Sequence, residues 1–425
     1  MRWAAQIAVC LLVLLAGCNA PFQSPRTDAA DSQTATAEPA RSDAPGDSVT
    51  PLPGTPRPAR VTVVNGDLPV RPGPAFARVR HLLDASTGPP IVEVRDQPTR
   101  EGGLRPEAGE FESLLGIEAP RPAAESEIRV GGATTPDQTV YVAPGDASAS
   151  RVERTLAHEF VHVVQFDRDV VSRLPDRLPS GRADTTDGEY VVRSLVEGAA
   201  TYVSTRYTRR YHPVVETEYE TLARIYADAS AGTRLFWGAY YHGARYVAAS
   251  VDDPRDLRSV YADPPATTEQ LLHRTQDPPT PLTVTVADAD SAWVGDSTDS
   301  RGELFVRLLL DSELPHDRAA AAAAGWGNDR LVPFYGEKDR SYAWVIRFDD
   351  APNATDARRA VADYLDAYAS DSVSGWTRGA ATFALRQIDG RTFALLAGER
   401  GFVDGASVST DDGEVVVEPP ESTGE

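Results

Sequence analysis

The stretch Thr155-Leu-Ala-His-Glu-Phe-Val-His-Val-Val-Gln165 constrains this chain more than any other. Apolar residues recur at helical spacing, with Val152, Leu156, Phe160, Val163 and Val164 on the inner side, and predict a helix from Ser148, a capping residue, to Phe166. His158 and His162 stand four residues apart on that helix, so they share one face with about 6 Å between them along the axis. The whole chain has seven histidines, and a chance match to this spacing is expected in about one such sequence per hundred. Any fold must therefore bury one side of this helix and bring other chemistry to the histidine side.

Two imidazoles at this spacing converge on one ion, and the ion expected here is zinc. Glu159 lies off the histidine stripe but within reach of a water on that ion, the position of a general base in metal-assisted hydrolysis. A tetrahedral ion needs a third protein ligand and an open position. A longer motif with Gly at 165 and His at 168 is absent, because those positions hold Gln165 and Arg168. The better candidate is Glu197 in Ser194-Leu-Val-Glu-Gly-Ala-Ala-Thr-Tyr-Val203. Its charge sits among Leu195, Val196, Ala199 and Ala200, which is costly unless paired or bound to metal. Gly198 and the alanines predict a close approach of this segment to the histidine helix. Glu189, His212, Glu216 and His242 are weaker ligand candidates. The competing reading puts both histidines on a solvated surface, with Glu197 on a polar stripe beside Glu189 and Arg193.

The formal net charge of −21 argues against nucleic acid and against anionic membrane surfaces as partners. Lys338 is the only lysine, and an acidic, arginine-based composition suits a protein working in concentrated salt. Both cysteines fall within the first eighteen residues, so the body holds no disulfide framework. Arg2, an apolar run and Leu15-Ala16-Gly17-Cys18 read as a secretion signal too short to span a membrane comfortably. The last four residues resemble the lipobox of prokaryotic lipoproteins, which implies lipidation of Cys18 and an extracytoplasmic, membrane-anchored chain. Residues 19–56 are Ala-, Ser-, Thr-, Asp- and Pro-rich and read as a disordered tether.

The body reads as α+β. Short strands at 61–64, 91–94, 127–131 and 139–142, with a helix at 74–84, precede helices at 148–166, 188–207, 214–228 and 236–250. The strand at 139–142 is expected beside the cleft, where an extended substrate backbone would pair with it. A second α+β domain is expected at 277–410, after a first at 57–276. In it a helix at 301–324 precedes strands at 331–335 and 341–348, a helix from a capping Asn353 to Tyr368, and a hairpin across Asp389-Gly390. Asn353-Ala-Thr355 is also a possible glycosylation site. Residues 411–425 read as a frayed acidic tail.

His158-Glu-Phe-Val-His162 followed by Val196-Glu-Gly-Ala-Ala-Thr-Tyr-Val203 resembles the gluzincin superfamily of zinc metallopeptidases, most nearly its peptidase-MA-like extracytoplasmic branch. Ala239-Tyr-Tyr-His-Gly-Ala-Arg-Tyr-Val247 and Pro264-Pro-Ala-Thr-Thr-Glu-Gln-Leu-Leu-His273 extend the resemblance over about 140–275. As a whole the chain is similar to lipid-anchored surface proteins of halophilic archaea. The resemblance implies a zincin-like fold, a peptide or protein substrate, His158, His162 and Glu197 as zinc ligands, and Glu159 as base. It aligns Tyr240, ahead of Tyr241 and His242, as a donor to the developing oxyanion. Many members carry an acidic residue four positions after the ligand glutamate to orient the first histidine; Thr201 occupies that place, which leaves the orienting partner unassigned.

These readings point to a surface-anchored zinc metallopeptidase. A noncatalytic surface or envelope protein on a zincin scaffold is the alternative from another class, and a metal-dependent hydrolase of esters or sugars shares every motif.

Overall fold

Alternating apolar residues in the first third of the chain build a small mixed sheet under the histidine helix. The computed structural model describes residues 59–96, 108–118, 131–287, 291–336, 340–373 and 375–421. Cys18, the tether and most of the strand expected at 127–131 lie outside them. The chain runs through β1 (Thr62–Val64), α1 (Pro72–Leu82), β2 (Ile91–Val94), α2 (Glu110–Leu114), β3 (Gly131–Thr134) and β4 (Thr139–Ala143). The strands lie in the order β1-β2-β4-β3, the first three parallel and β3 antiparallel at the edge. Val140 and Val142 of β4 are buried while Thr139 and Tyr141 are half-buried, the period of two expected of a strand.

This arrangement corrects the expected role of 139–142. A tight turn with Gln138 at φ 65° folds β3 back along β4, so β4 is an interior strand and, among the described residues, β3 lies outside it at the sheet edge.

Seven helices follow: α3 (Ala149–Asp167), α4 (Val170–Arg173), α5 (Thr186–Tyr211), α6 (Glu218–Asp228), α7 (Ala231–Ser250), α8 (Leu257–Ala262) and α9 (Thr268–His273). Ser148 stands at the N-cap position of α3, but its hydroxyl meets Ser150 rather than the helix backbone. Helix α6 begins later than the 214 expected, because Thr217 and Glu220 close a reciprocal capping box there. Val152, Leu156, Phe160 and Val163 of α3 join Val191, Leu195, Ala199 and Val203 of α5 in one core, with Phe76 of α1 edge-on to Phe160 at 5.1 Å. Gly198 does not serve the contact expected of it. It faces Gly243 of α7: a Cβ at 198 would lie 2.2 Å from the Gly243 carbonyl carbon, so the two glycines let α5 and α7 cross backbone to backbone.

The rest of the chain comprises β5 (Val284–Val286), β6 (Val294–Gly295), α10 (Gly302–Leu310), α11 (His316–Ala323), β7 (Trp326–Tyr335), β8 (Arg340–Phe348), α12 (Ala351–Tyr368), β9 (Ser370–Ser372), β10 (Gly375–Arg378), β11 (Ala381–Gln387), β12 (Thr392–Gly398), α13 (Arg400–Gly405), β13 (Ser407–Asp411) and β14 (Glu414–Glu418). The single helix expected at 301–324 is two, broken before Pro315, whose ring cannot continue a helical hydrogen-bond ladder. Helix α12 is capped by Asp350, which accepts from the Asn353 amide, so Asn353 is inside the helix and not its cap.

Strands β6-β7-β8-β12-β11-β10-β9 form one antiparallel sheet covered on both faces, which explains their nearly unbroken apolar runs. Trp344, Ile346, Phe393 and Leu395 face α10 and α12; Ala343, Val345, Ala394 and Leu396 face α13 and the small β13-β14-β5 sheet. Residues 414–418, expected in a frayed tail, are the central strand of that small sheet, with Val415 and Val417 fully buried. Phe111, Leu115 and Ile117 of the first region also pack into the core against α10 and α12. The protein is α+β throughout. No helix of the described residues is long and apolar enough to cross a membrane.

Candidate metal centre

Helices α3 and α5 bring three residues together. His158, His162 and Glu197 are 7%, 8% and 2% exposed, which rules out the solvated-surface reading of this helix face. His158 Nε2 and His162 Nε2 lie 3.1 Å apart, and each is 3.3 Å from Glu197 Oε2. Three corners of a tetrahedron with bonds of about 2.0–2.1 Å are about 3.3–3.4 Å apart, so this triangle has the size that a zinc-like ion requires.

The partners behind the rings decide which nitrogen faces inward. His158 Nδ1 meets the Glu218 carboxylate, at 2.9 Å from Oε1 and 3.1 Å from Oε2. His162 Nδ1 meets Gln165 Oε1 at 2.7 Å, while Gln165 Nε2 donates to the Val196 carbonyl at 2.9 Å and to the Tyr261 hydroxyl at 3.0 Å. With both Nδ1–H groups donating outward, both Nε2 lone pairs and a carboxylate oxygen face one point with no proton between them. That donor set fits a divalent cation. The described residues contain no other cluster of three or more such side chains.

Burial disfavours an imidazolium at both histidines, but the carboxylates of Glu218 and Glu197 hold His158 well above the ordinary histidine range, and Glu197 holds His162 above it. Burial likewise works against the Glu197 carboxylate, yet His162 and His158 hold it well below the usual range.

Glu218 is the partner that the sequence left unassigned. It is the first residue of α6, and Thr201 of α5, where the resembled family often has an acid, donates its hydroxyl to Glu218 Oε1 at 3.3 Å; Ser204 donates to Oε2. The carboxylate thus comes from a neighbouring helix, and Thr201 supports it. The capping box at Thr217 and Glu220 was the one legible signal, since it fixes Glu218 at the helix start.

Glu159 is 5% exposed, and burial raises its carboxyl above the usual range. Thr134 of the edge strand donates to Glu159 Oε2 at 2.8 Å and to its carbonyl at 3.1 Å. Oε1 lies over Gly132, where a Cβ would come within 2.6 Å of it. Edge strand and acid are therefore in contact, which the sequence reading missed. Tyr240 is buried and its ring lies 6.0 Å from that of His158 at 23°. Tyr241 instead stacks between Tyr219 and Tyr226, and His242 bonds the Tyr226 hydroxyl at 2.8 Å. Among the weaker candidates, Glu189 is exposed, His212 sits 3.0 Å from Glu153, and Glu216 bonds Thr221 and Arg224; none joins the centre.

A family model described as "Domain of unknown function (DUF8575)" matches residues 289–417, the region of the large sheet. No curated protein and no solved structure matches the chain.

Proposed function

We propose that the chain is a zinc-dependent metallopeptidase on a zincin-like scaffold, carried outside the cell on a lipid at Cys18. The observation that carries the reading is the inward-facing triangle of His158, His162 and Glu197, with Glu159 buried beside it. These three residues would hold the ion. Zinc held there would lower the pKa of a water toward about 7 and polarise a carbonyl oxygen.

The remaining work falls to the protein. Thr134 fixes one oxygen of Glu159 and leaves Oε1 to exchange a proton. Glu159 takes the proton of the attacking water as the new carbon–oxygen bond forms, then delivers it to the leaving nitrogen as the carbon–nitrogen bond breaks. Its raised proton affinity suits both halves of that exchange. Glu218 and Gln165 hold the two imidazoles in the tautomer that presents Nε2. The outer edge of β3, unpaired among the described residues and one hydroxyl away from Glu159, favours an extended peptide as substrate, whose backbone groups could pair with it. Tyr240, stacked on His158, is the candidate to support the oxyanion.

The Glu218 contact also weighs against the noncatalytic alternative, because it supplies the acid for His158 that position 201 lacks. The test compares wild type with Glu159→Gln and Glu197→Ala for zinc content and for cleavage of a mixed peptide library. One zinc per chain with cleavage, zinc without cleavage in Glu159→Gln, and loss of zinc in Glu197→Ala are the expected results. A wild type that takes up no zinc on titration would overturn the proposal.

A further inference from the structure

On the side of α5 turned toward α7, a cleft of about 510 Å³ is lined by Arg206, Arg209, Arg245 and Arg274. The guanidinium groups come from three places in the fold: α5, α7 and the residue that ends α9. The chain as a whole carries 63 acidic against 42 basic side chains, yet the only carboxylate lining this cleft is Asp252. Among the described residues, Arg206, Arg245 and Arg274 make no ion pair with a carboxylate, and Arg209 reaches Glu220 only at 3.9 Å with both side chains half exposed. Arg206 gives its guanidinium to the Asp252 backbone carbonyl and lies over the Tyr202 ring, so it is positioned without being neutralised. Arg245 lies 5.6 Å over the face of Tyr241, and Tyr219, stacked on that same ring at 5.7 Å, helps form the wall.

Like charges converge in this way against their own repulsion, and guanidinium forks match the oxygens of phosphate and carboxylate groups in pairs. We infer that this cleft is a binding site for a small anion carrying two or more phosphate or carboxylate groups, distinct from the metal centre. Tyr202 holds Arg206 and Tyr241 holds Arg245, so these two arginines lose little side-chain freedom on binding. The inference does not depend on the metallopeptidase reading, because none of the lining residues belongs to the metal triangle or to the Glu159 contact.

Calorimetric titration tests it at fixed ionic strength, with fructose 1,6-bisphosphate as the phosphate probe and tricarballylate as the carboxylate probe. The proteins compared are wild type, Arg245→Ala with Arg274→Asn, and Glu197→Ala. Asparagine is chosen because Arg274 has φ 57°, a backbone that asparagine tolerates. Saturable binding of either probe, weakened at least about tenfold in the arginine variant and unchanged in Glu197→Ala, is expected. Preference for one probe then tells phosphate from carboxylate. No saturable binding of either probe, equal binding by the arginine variant with its melting curve intact, or binding lost in Glu197→Ala would overturn the inference.

Discussion

Glu218 and His158 lie sixty residues apart in sequence, yet the Glu218 carboxylate meets His158 Nδ1 at 2.9 Å and is itself held by Thr201 and Ser204. This pair sets the direction of Nε2, so its value appears in metal affinity before it appears in fold stability. Glu218→Gln keeps the size and one acceptor but loses the charge. Competition against a chelator is expected to give zinc binding weaker by about 10–100-fold, with one site still filled at saturation. Unchanged affinity would mean that Gln165 and packing alone orient the rings.

Gly132 is where the edge strand makes room for Glu159. A methyl at this position would come within 2.6 Å of Glu159 Oε1 and 2.8 Å of its Cγ, so Gly132→Ala must displace the side chain. Zinc content is expected to stay at the wild-type level while peptide cleavage falls by about 100-fold, the usual consequence of moving a reacting group by about 1 Å. Cleavage at the wild-type rate would remove Glu159 from the role of base.

Gly198 and Gly243 allow α5 to lie on α7, and α5 carries Glu197. Gly198→Ala puts a methyl 2.2 Å from the Gly243 carbonyl carbon. The helices must separate, at a cost of about 1–3 kcal/mol typical of overpacking. Thermal melting of the metal-free protein measures this directly, and a melting temperature equal to wild type would contradict the close crossing.

Stability should fall as pH rises from about 5 to 9, because buried acids at the junction of α5, α9 and α10 are held protonated. Burial, with Asp329 nearby, pushes Asp187 up to about 7; burial, Glu303 and Asp349 push Glu269 up to about 8. Between the unfolded carboxyl range and these values the folded chain binds more protons than the unfolded one, so raising pH favours unfolding. His273, held above its ordinary value mainly by its bond to Glu303, acts in the same direction as it loses its proton. Asp187→Asn keeps an acceptor for the Thr268 amide and hydroxyl and removes the titration. Its melting temperature is expected to vary less over this window than that of wild type.

His158, Glu159 and His162 were legible because a helix is a local object: the period of 3.6 residues fixes which side chains share a face without any knowledge of the rest of the fold. Glu197 was legible for a different reason, since a charge in an apolar helical run needs a partner and few were on offer. Gln165, three residues beyond His162, was within reach of the same helical reasoning, which used it only to dismiss a longer motif. Glu218, Thr134 and Gly132 were not legible in this way. Their contacts with the histidine helix exist only because α6 packs its first turn against α5 and because β3 folds back along β4. The sheet of β6 to β12 follows the same division: its strands were visible as apolar runs, but that both faces are buried, and that the acidic end of the chain supplies the strand β14 to cover one of them, depended on which elements stack. Periodicity and charge thus determined what the histidine helix carries; packing between distant segments decided what orients it, because those contacts are set by helix crossings and strand order that no local spacing encodes.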